Sequence, residues 1–348
     1  MSTKDTYLSN KEKSIKKVML ESVYSPQIHA FDKVFDNTSN TQSIFKTCCR
    51  DIVKSVVSGF NGSIFMYGQT TSGKTFTMLG SHDNPGILPC TLRDIFNIIE
   101  KDESIIDYKI YGSYIEIYNE SVYDLLDKTG NLKLLDDPRF GVVVMGAKKV
   151  RLKKFDDGIT IKDIGEENRK YRETLINEYS SRSHSIFQLF LETEFKENDN
   201  ENTRISCLNL VDLAGSERIN DYDNKSGMFS ETGHINKSLF VLANVINKLA
   251  EGKGGYVPYR DSKLTRLLSQ SLGGNALTSI ICTVSPAAIN YYQTLSTLRF
   301  ATRAKLIKIK AEAYFKVNPK EELAFYKKEI LRLKGEIESS KFLLNQRK

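Results

Sequence analysis

The stretch Gly68-Gln69-Thr70-Thr71-Ser72-Gly73-Lys74-Thr75 matches the phosphate-loop pattern G-x-x-x-x-G-K-[ST]. It directly follows the apolar run 63–67 (SIFMY), which predicts a strand. Glycines allow such a loop to wrap phosphates with backbone N–H groups, and the helix after the loop points its N-terminus at the anion. Unrelated loops match the pattern by chance, but its place after a strand is what the chemistry requires. The stretch therefore predicts a nucleotide phosphate site, with Lys74 on the terminal phosphates and Thr75 on Mg²⁺.

A second motif, Asp212-Leu213-Ala214-Gly215, ends the apolar run that begins at Leu208. A carboxylate at the end of a buried strand can help to hold the metal ion that accompanies the phosphates. A glycine N–H can donate a hydrogen bond to the γ-phosphate. By itself D-x-x-G is usually only a turn. Its place after a predicted strand favours the functional interpretation.

A third segment, residues 177–184 (NEYSSRSH), is unusually polar and leads into a predicted strand. Its simplest interpretation is a serine-rich surface loop. The alternative is a switch segment, in which a hydroxyl completes the Mg²⁺ shell and Arg182 pairs with a carboxylate. Glu217, just past D-x-x-G, is the candidate partner.

The remaining sequence alternates short apolar runs with helix-like segments, which is typical of an α/β fold. Further strands are predicted at residues 186–195 and 278–284. Apolar residues at spacings of three and four from Ile235 to Leu249 predict a helix that ends at Gly252. Residues 1–30 are polar and weakly patterned, which predicts a loose or only partly ordered start.

The tail differs in kind from the rest of the chain. Asn318-Pro319-Lys320-Glu321 predicts a helix start, with Asn318 as N-cap. Apolar positions from Leu323 to Leu344 then repeat at three and four over about three heptads. Two interpretations are open: a short coiled coil that joins two chains into a homodimer, or a lone amphipathic helix that docks on the domain.

Composition narrows the class of protein. The 348 residues are 40% hydrophobic and carry a formal net charge of +7, which suits an acidic partner such as nucleic acid, tubulin or an anionic membrane. Five scattered cysteines without C-x-x-C spacing favour a reducing cytosol over a disulfide framework or a zinc site. No apolar run approaches the roughly 18 residues of a membrane span, and no secretory signal is visible. We therefore expect a soluble intracellular protein without a membrane partner.

Together the three segments resemble the kinesin motor family, whose members carry GQTxSGKT, N-x-x-S-S-R-S-H and D-L-A-G-S-E in this order. Three further stretches are close to kinesin counterparts: residues 234–239 (HINKSL), 257–266 (VPYRDSKLTR) and 271–275 (SLGGN). The resemblance runs from about Phe31 to about Lys308. Within the family, residues 165–192 and the region around 326–330 look most like the centromere-associated, CENP-E-type kinesins.

The resemblance implies an α/β fold of the P-loop NTPase, kinesin-motor type: a central, mostly β sheet of about eight strands with helices on both faces. It implies an ATPase that uses ATP and Mg²⁺ and moves on microtubules, with plus-end direction, a mitotic role and a place on the cytoplasmic cytoskeleton or spindle. It divides the chain into a motor domain at 1–306, with 1–30 divergent or incomplete, a neck linker at 307–318 and a neck helix at 319–348.

The resemblance also implies site residues. Those expected to contact the nucleotide are Gly68, Gln69, Thr70, Thr71, Ser72, Gly73, Lys74, Thr75 and Phe76. The catalytic set is Asn177, Ser180, Ser181, Arg182, Asp212, Gly215 and Glu217, in which Arg182 and Glu217 form a salt bridge that closes the two switches and Gly215 senses the γ-phosphate. The metal is assigned to Thr75, Ser181 and, through water, Asp212. The helix near Asn236 is assigned as the relay to the track.

Residues expected to contact tubulin are Lys237, Lys253, Tyr259, Arg260, Lys263 and Arg266. Alternatively, Arg260 and Arg266 pair with Asp261 or are simply solvated. His184 belongs to the switch motif but is expected to be a hydrogen-bonded structural residue.

The sequence departs from the family at its start. Kinesins normally open with a strand ending in an R-x-R-P-like motif that packs against adenine, and no such motif is found here. An inner strand or the small β lobe after it is missing or rebuilt, or the N-terminus is incomplete. Phe76 could still stack on the base.

Two alternative functions were weighed against the kinesin motor. The missing R-x-R-P motif motivates a microtubule-binding module with weak or absent ATPase, whereas the intact Arg182, Gly215 and Glu217 oppose it. A P-loop ATPase acting on nucleic acid needs a basic groove with stacking aromatics. Tyrosines and phenylalanines are not clustered with basic residues, so no nucleic-acid partner is expected.

Overall fold

The computed structural model describes residues 16–20, 27–137, 140–175, 182–197, 200–217, 229–252 and 254–316. The strands within these ranges are β1 (Lys16–Leu20), β2 (Gln27–Phe31), β3 (Gly62–Gly68), β4 (Ile105–Tyr118), β5 (Ser121–Asp124), β6 (Lys133–Asp137), β7 (Gly141–Met145), β8 (Val150–Leu152), β9 (His184–Glu197), β10 (Asn200–Asp212), β11 (Leu277–Thr283) and β12 (Tyr314–Lys316). The helices are α1 (Thr41–Cys48), α2 (Arg50–Val57), α3 (Lys74–Leu79), α4 (Ile87–Lys101), α5 (Phe155–Leu175), α6 (Phe229–Glu251), α7 (Lys263–Leu267), α8 (Ser269–Gly273) and α9 (Tyr291–Ala304).

An eight-stranded mixed sheet forms the centre of the fold. Its order is β11-β3-β10-β9-β4-β5, with β8 paired to β4 and β12 paired to β10. β3 lies parallel to both β10 and β11, whereas β10, β9 and β4 pair antiparallel. The prediction of about eight strands is confirmed, as are the individual predictions for β3, β9, β10, β11 and helix α6.

The sheet is covered on both faces, and β3 shows why its sequence is continuously apolar. Successive side chains of a strand point to opposite faces. Ile64 and Met66 enter a core formed with α1, α2, α4 and α5. Phe65 and Tyr67 enter a second core formed with α6, α7, α8 and α9. A strand buried on both faces has no polar side, so it lacks the alternation of a surface strand. Helices on both faces are therefore confirmed.

Strands β1 and β2 form an antiparallel hairpin of their own. β2 lies against α9, where Phe31 packs on Leu295 and Leu298, and His29 Nδ1 is 3.2 Å from Thr302 Oγ1. Within residues 1–30, the structure describes 16–20 and 27–30, which belong to these two strands. The half-buried positions of β2 include the polar residues Gln27 and His29. The strand therefore lacks the alternation of apolar and polar residues from which a strand is predicted.

None of the helices in the described ranges is both long and apolar enough to cross a bilayer.

A close helix–strand approach yields a test of this packing. Gly165 of α5 lies against the ring of the buried Tyr114 on β4, and a Cβ there would overlap the ring. We expect Gly165→Ala to lower the free energy of unfolding by about 1–3 kcal/mol, measured by urea denaturation, because neither backbone can move away without strain. Gly158→Ala in the same helix is the matched control, since its Cβ would meet only the end of the Leu92 side chain. Equal losses in the two variants would contradict this description of the packing.

Candidate nucleotide site

The predicted phosphate loop is a tight turn between β3 and α3. Gly68 and Gly73 have φ angles of 151° and 101°, which an L-side chain rarely adopts. Lys74 is buried, and its Nζ donates to the carbonyl oxygen of Gln69 at 2.8 Å. Burial lowers the pKa of Lys74. The ammonium group thus lies inside the loop, at the position expected of a phosphate-binding lysine.

Asp212 lies beside the loop because β10 runs parallel to β3, with Asp212 paired to Met66. The Thr75 hydroxyl donates to Asp212 Oδ2 at 2.6 Å. Asp212 Oδ1 is buried and has no hydrogen-bond partner among the described residues. Burial raises the pKa of Asp212, and the nearby Arg169 guanidinium opposes that rise.

These donors fit Mg²⁺. The ion is usually held by one or two carboxylates together with substrate phosphates and water, rather than by a cage of protein ligands. In the described part of the chain no group of three or more His, Cys, Asp or Glu side chains could hold a metal alone. The Thr75 hydroxyl, as a direct ligand, and the Asp212 carboxylate, acting through water, are oxygen donors that suit such a shared site.

The segment after β10 folds back over the phosphate loop. Ser216 N donates to the carbonyl oxygen of Gly68 at 3.0 Å. Thr70 donates its N–H to Glu217 Oε2 at 2.8 Å and its hydroxyl to Glu217 Oε1. A Cβ on Gly215 would overlap both the Thr70 hydroxyl and the Glu217 carboxylate, so only glycine permits this approach. The structure therefore brings the DLAGSE motif onto the phosphate loop.

The predicted first switch, residues 177–184, is described only in part. Asn177, Ser180 and Ser181 lie outside the described residues, so their roles stay predictions. Arg182 is half-buried at the start of the described segment. Its salt bridge to Glu217 also stays a prediction.

His184 joins the two switch motifs to helix α6. Its Nδ1 accepts a hydrogen bond from Ala214 N at 3.0 Å, and its Nε2 is 2.8 Å from Ser238 Oγ on α6. Because Nδ1 accepts, the neutral ring carries its proton on Nε2 and donates to Ser238. Burial, followed by the charges of Arg169 and Lys74, lowers the pKa of His184 to about 3. The expectation of a hydrogen-bonded residue is confirmed.

The residues predicted to contact tubulin lie on α6, on α7 and on the loop between them. Lys237 and Arg260 are exposed, Tyr259 and Lys263 are half-buried, and Lys253 lies outside the described residues. Arg266 Nη2 lies 3.3 Å from Asp136 Oδ2 on β6, so its carboxylate partner is Asp136 and not the predicted alternative Asp261. Arg260 is therefore the most accessible cation of α7 and the turn before it.

Glu120 anchors this surface to the sheet. It lies in the turn between β4 and β5, where Asn119 and Glu120 have φ angles of 51° and 56°. Glu120 Oε1 accepts from Ser262 Oγ at 2.7 Å, and Oε2 accepts from Lys263 N at 2.7 Å. Both carboxylate oxygens are thus used to fix the first turn of α7.

Comparison with known proteins identifies the family. The sequence profile of the kinesin motor domain matches residues 2–307. The chain belongs to the kinesin family. The kinesin-like protein KIN-7L of Oryza sativa subsp. japonica is 46% identical over 283 residues, which cover 80% of this chain and 44% of that protein. This kinesin spans less than half the length of the curated relatives it matches.

Two solved kinesin structures share the fold. The structure of a fast kinesin, described in terms of ATPase mechanism and microtubule interactions, has a TM-score of 0.81 at 36% identity and covers 89% of this chain and 88% of its own. A KIF14 dimer in a two-heads-bound state, with AMP-PNP and in complex with a microtubule, has a TM-score of 0.79 at 35% identity. It covers 88% of this chain and 90% of its own.

Phe76 is the residue predicted to contact adenine. This side chain directly follows the phosphate loop and is 52% exposed, so its ring face is available. Among the described residues, no strand pairs with the second edge of β11. Stacking of adenine on Phe76 stays a prediction.

Sequence reasoning missed three charged residues of this kinesin: Glu116, Glu120 and Arg169. Glu116 is fully buried on β4, and Arg169 of α5 is 4% exposed. One signal was available, because Glu116 stands in the otherwise apolar run YIEIY, where an acidic residue is unexpected in a buried strand. Glu120 and Arg169 carry no comparable local signal, since their partners lie far away along the chain.

The neutral state of His184 predicts a pH effect. The ordinary pKa of histidine is about 6.5 in an unfolded chain, and the folded value is about 3. Below pH 6.5 the unfolded chain binds a proton that the folded chain does not, so the free energy of unfolding falls as pH drops, by at most about 1.4 kcal/mol per pH unit from this group. We expect His184→Asn, which keeps an acceptor for Ala214 N, to remove this contribution between pH 6.5 and 5 in urea denaturation. Identical pH slopes in the variant and the wild type would refute a buried neutral His184.

Proposed function

We propose that this chain is an ATP-driven microtubule motor, an ATPase whose hydrolysis cycle changes its hold on the microtubule. The observation that carries the proposal is the convergence of two motifs on one loop. The Thr75 hydroxyl meets Asp212 at one end of the loop, and Thr70 meets Glu217 at the other. Asp212 would serve the Mg²⁺ that accompanies the phosphates, and a bound γ-phosphate would disturb the contact between Thr70 and Glu217. Such a phosphate loop is suited to hydrolysis that is coupled to movement.

The residues of the loop supply binding and orientation. Backbone N–H groups of the loop and the Lys74 ammonium would hold the phosphates, with Phe76 available to adenine. Thr75 and Asp212 would hold Mg²⁺, which when bound neutralises charge on the phosphate oxygens. Gly215 would sense the γ-phosphate, and Glu217 would help to position the attacking water. Catalysis in this proposal rests on positioning and electrostatics.

The contacts of His184 support a route from nucleotide to track. Ala214 lies next to Gly215 and donates to His184, which in turn donates to Ser238 of α6. If a γ-phosphate displaced the DLAGSE segment, these hydrogen bonds would therefore transmit the displacement to α6, which carries the exposed Lys237. The KIF14 structure with AMP-PNP and a microtubule supports tubulin as the partner.

A microtubule-binding module with weak or absent ATPase is the second candidate. The absent R-x-R-P motif favours it, as does the second edge of β11, which pairs with no strand among the described residues. Both features concern adenine and the sheet edge. They leave the contacts of Asp212 and Glu217 with the loop in place, so we favour the motor.

Several finer points stay predictions: plus-end direction, a mitotic role on the spindle, the CENP-E-type subfamily and the neck boundaries at 307–318 and 319–348. A homodimer through the neck helix also stays a prediction, since residues 317–348 lie outside the described ranges.

The proposal predicts a track-coupled ATPase. We expect steady-state ATP hydrolysis at low salt to rise several-fold or more when microtubules are added, and Glu217→Ala to abolish that rise by removing the contact with Thr70. Glu100→Ala, on the exposed side of α4, is the matched control and should behave as the wild type. Flat, low hydrolysis with preserved co-sedimentation on microtubules would instead favour the binding module.

The proposal also predicts that Arg260 contributes to track affinity. Tubulin is acidic, and an exposed charge pair across an interface is worth about 0.2–1 kcal/mol. We therefore expect Arg260→Ala to weaken co-sedimentation by up to about fivefold at low salt. The difference from wild type should shrink as salt is raised, because exposed charges are screened. Lys170→Ala, an exposed cation on α5, serves as the control. A loss in Arg260→Ala that does not respond to salt would contradict an electrostatic contact.

A further inference from the structure

A small cavity lies between the C-terminal part of α5 and the segment formed by β5 and the loop that follows it. Its volume is about 270 Å³. Helix α5 contributes Asn168, Tyr171 and Arg172 to the lining, and residues 123–125, 128 and 130 form the other wall. The two walls are joined by a hydrogen bond, because Asn168 Nδ2 donates to the carbonyl oxygen of Leu125 at 2.7 Å. The cavity is thus built from two elements that are fixed to each other.

Two cations line the cavity, and each lies over a tyrosine of the opposite wall. Arg172 of α5 lies over the ring of Tyr123 on β5, with its Cζ 3.5 Å from the ring centroid. Lys128 of the loop lies over the ring of Tyr171 on α5, with its Nζ 5.6 Å from the ring centroid. The face of an aromatic ring attracts a cation. Both cations are therefore positioned at the cavity before any ligand arrives.

The charges that line the cavity favour an anion. Among the described residues, its lining has one acidic side chain, Asp124, which is 1% exposed. Both carboxylate oxygens of Asp124 already accept backbone hydrogen bonds, Oδ1 from Leu126 N at 2.7 Å and Oδ2 from Lys148 N at 2.5 Å. Arg172 and Lys128 together outnumber this one carboxylate, so the cavity carries an excess of positive charge.

The loop holds its cation in a backbone conformation that is uncommon for a side-chain-bearing residue. Lys128 has a φ of 64°, in the left-handed region. Asp127 Oδ1 stabilises this turn by accepting from Thr129 N at 2.9 Å and from Thr129 Oγ1 at 2.6 Å. Gly130 lies against the ring of Tyr123, and a Cβ there would come within 2.7 Å of Tyr123 Cδ1. Such strain persists only where the surrounding structure imposes it.

We propose that this cavity binds a carboxylate carried on a small apolar or aromatic group. Arg172 and Lys128 pair with the carboxylate, since a guanidinium suits a planar group with two oxygens. The tyrosine rings and Leu125 contact the apolar part, as in ligand pockets that combine aromatic walls with a few polar groups. The volume is just below the usual range of about 300–1,000 Å³, which limits the occupant to about the size of one ring.

Two sources can supply this chemistry: a free small carboxylate, or the acidic side chain of a partner peptide. The test distinguishes them. The cavity shares no residue with the nucleotide site or with the residues predicted to contact tubulin. The inference therefore stands independently of the proposed function.

The test uses the full chain and ligand-observed NMR titrations with benzoate, benzamide and a glutamate-rich peptide. Benzamide has the shape of benzoate without its charge. Each titration is run with and without saturating Mg·ADP, because a phosphate loop also attracts anions. Lys128→Asn removes the charge and tolerates the positive φ, whereas Lys128→Arg keeps the charge. Lys133→Asn changes an exposed cation on β6 outside the cavity and is the matched control. Thermal melting of each variant reports folding separately.

We expect benzoate to bind the wild type saturably, equally with and without Mg·ADP, and benzamide to bind more weakly. Lys128→Asn should raise the dissociation constant for benzoate about three- to tenfold, because it removes a partly exposed charged contact. Lys128→Arg and Lys133→Asn should bind as the wild type does. Tighter binding of the peptide than of benzoate supports an acidic partner, and binding of benzoate alone supports a free carboxylate.

Four results would each overturn the inference. The first is a wild type that shows no saturable binding of benzoate or of the peptide. The second is binding that Mg·ADP abolishes, which would belong to the phosphate loop. The third is equal binding of benzamide and benzoate, which would show that charge is not recognised. The fourth is an equal loss in Lys128→Asn and Lys133→Asn, which would indicate a general effect of net charge.

Discussion

The parallel pairing of β3 with β10 is the constraint on which the nucleotide site depends. Its register sets Asp212 opposite Met66, so the carboxylate emerges beside the phosphate loop that continues β3. A slip of one residue would turn every side chain of β10 to the other face of the sheet. The register is fixed because Ile64 and Phe65 of β3 belong to different cores, each closed by its own set of helices. Two hydrophobic layers thus determine where one carboxylate lies.

The interior behind the loop holds charges that a hydrophobic core disfavours. Lys74, Glu116, Arg169 and Asp212 are all buried, and burial opposes ionisation of both Lys74 and Asp212. Buried ion pairs add little net stability compared with apolar packing of the same volume, because each charge loses its hydration. Conflicts between local chemistry and stability are expected at functional sites. Their concentration around one loop agrees with a site built for binding and switching.

Much of the fold and of the nucleotide site could be predicted because the signals are local. The phosphate loop occupies consecutive residues after an apolar strand, and the helix α6 shows its period within its own sequence. Contacts between distant residues could not be predicted in this way. Glu120 and Ser262 are 142 positions apart in the chain, and the sequence around each residue gives no indication of its partner. Strand β2 was missed for a different reason, since its half-buried side carries Gln27 and His29.

The contact of Glu217 with Thr70 bears on the free-energy difference between the two conformations of the proposed switch. In this conformation a carboxylate of the chain itself accepts the Thr70 N–H, the type of donor that a phosphate loop offers to its ligand. A phosphate oxygen that takes this N–H must displace a resident anion, so the step exchanges one negative partner for another. Such an exchange leaves the number of satisfied donors unchanged. The two conformations can then lie close in free energy, which allows a modest difference between nucleotides to select one of them.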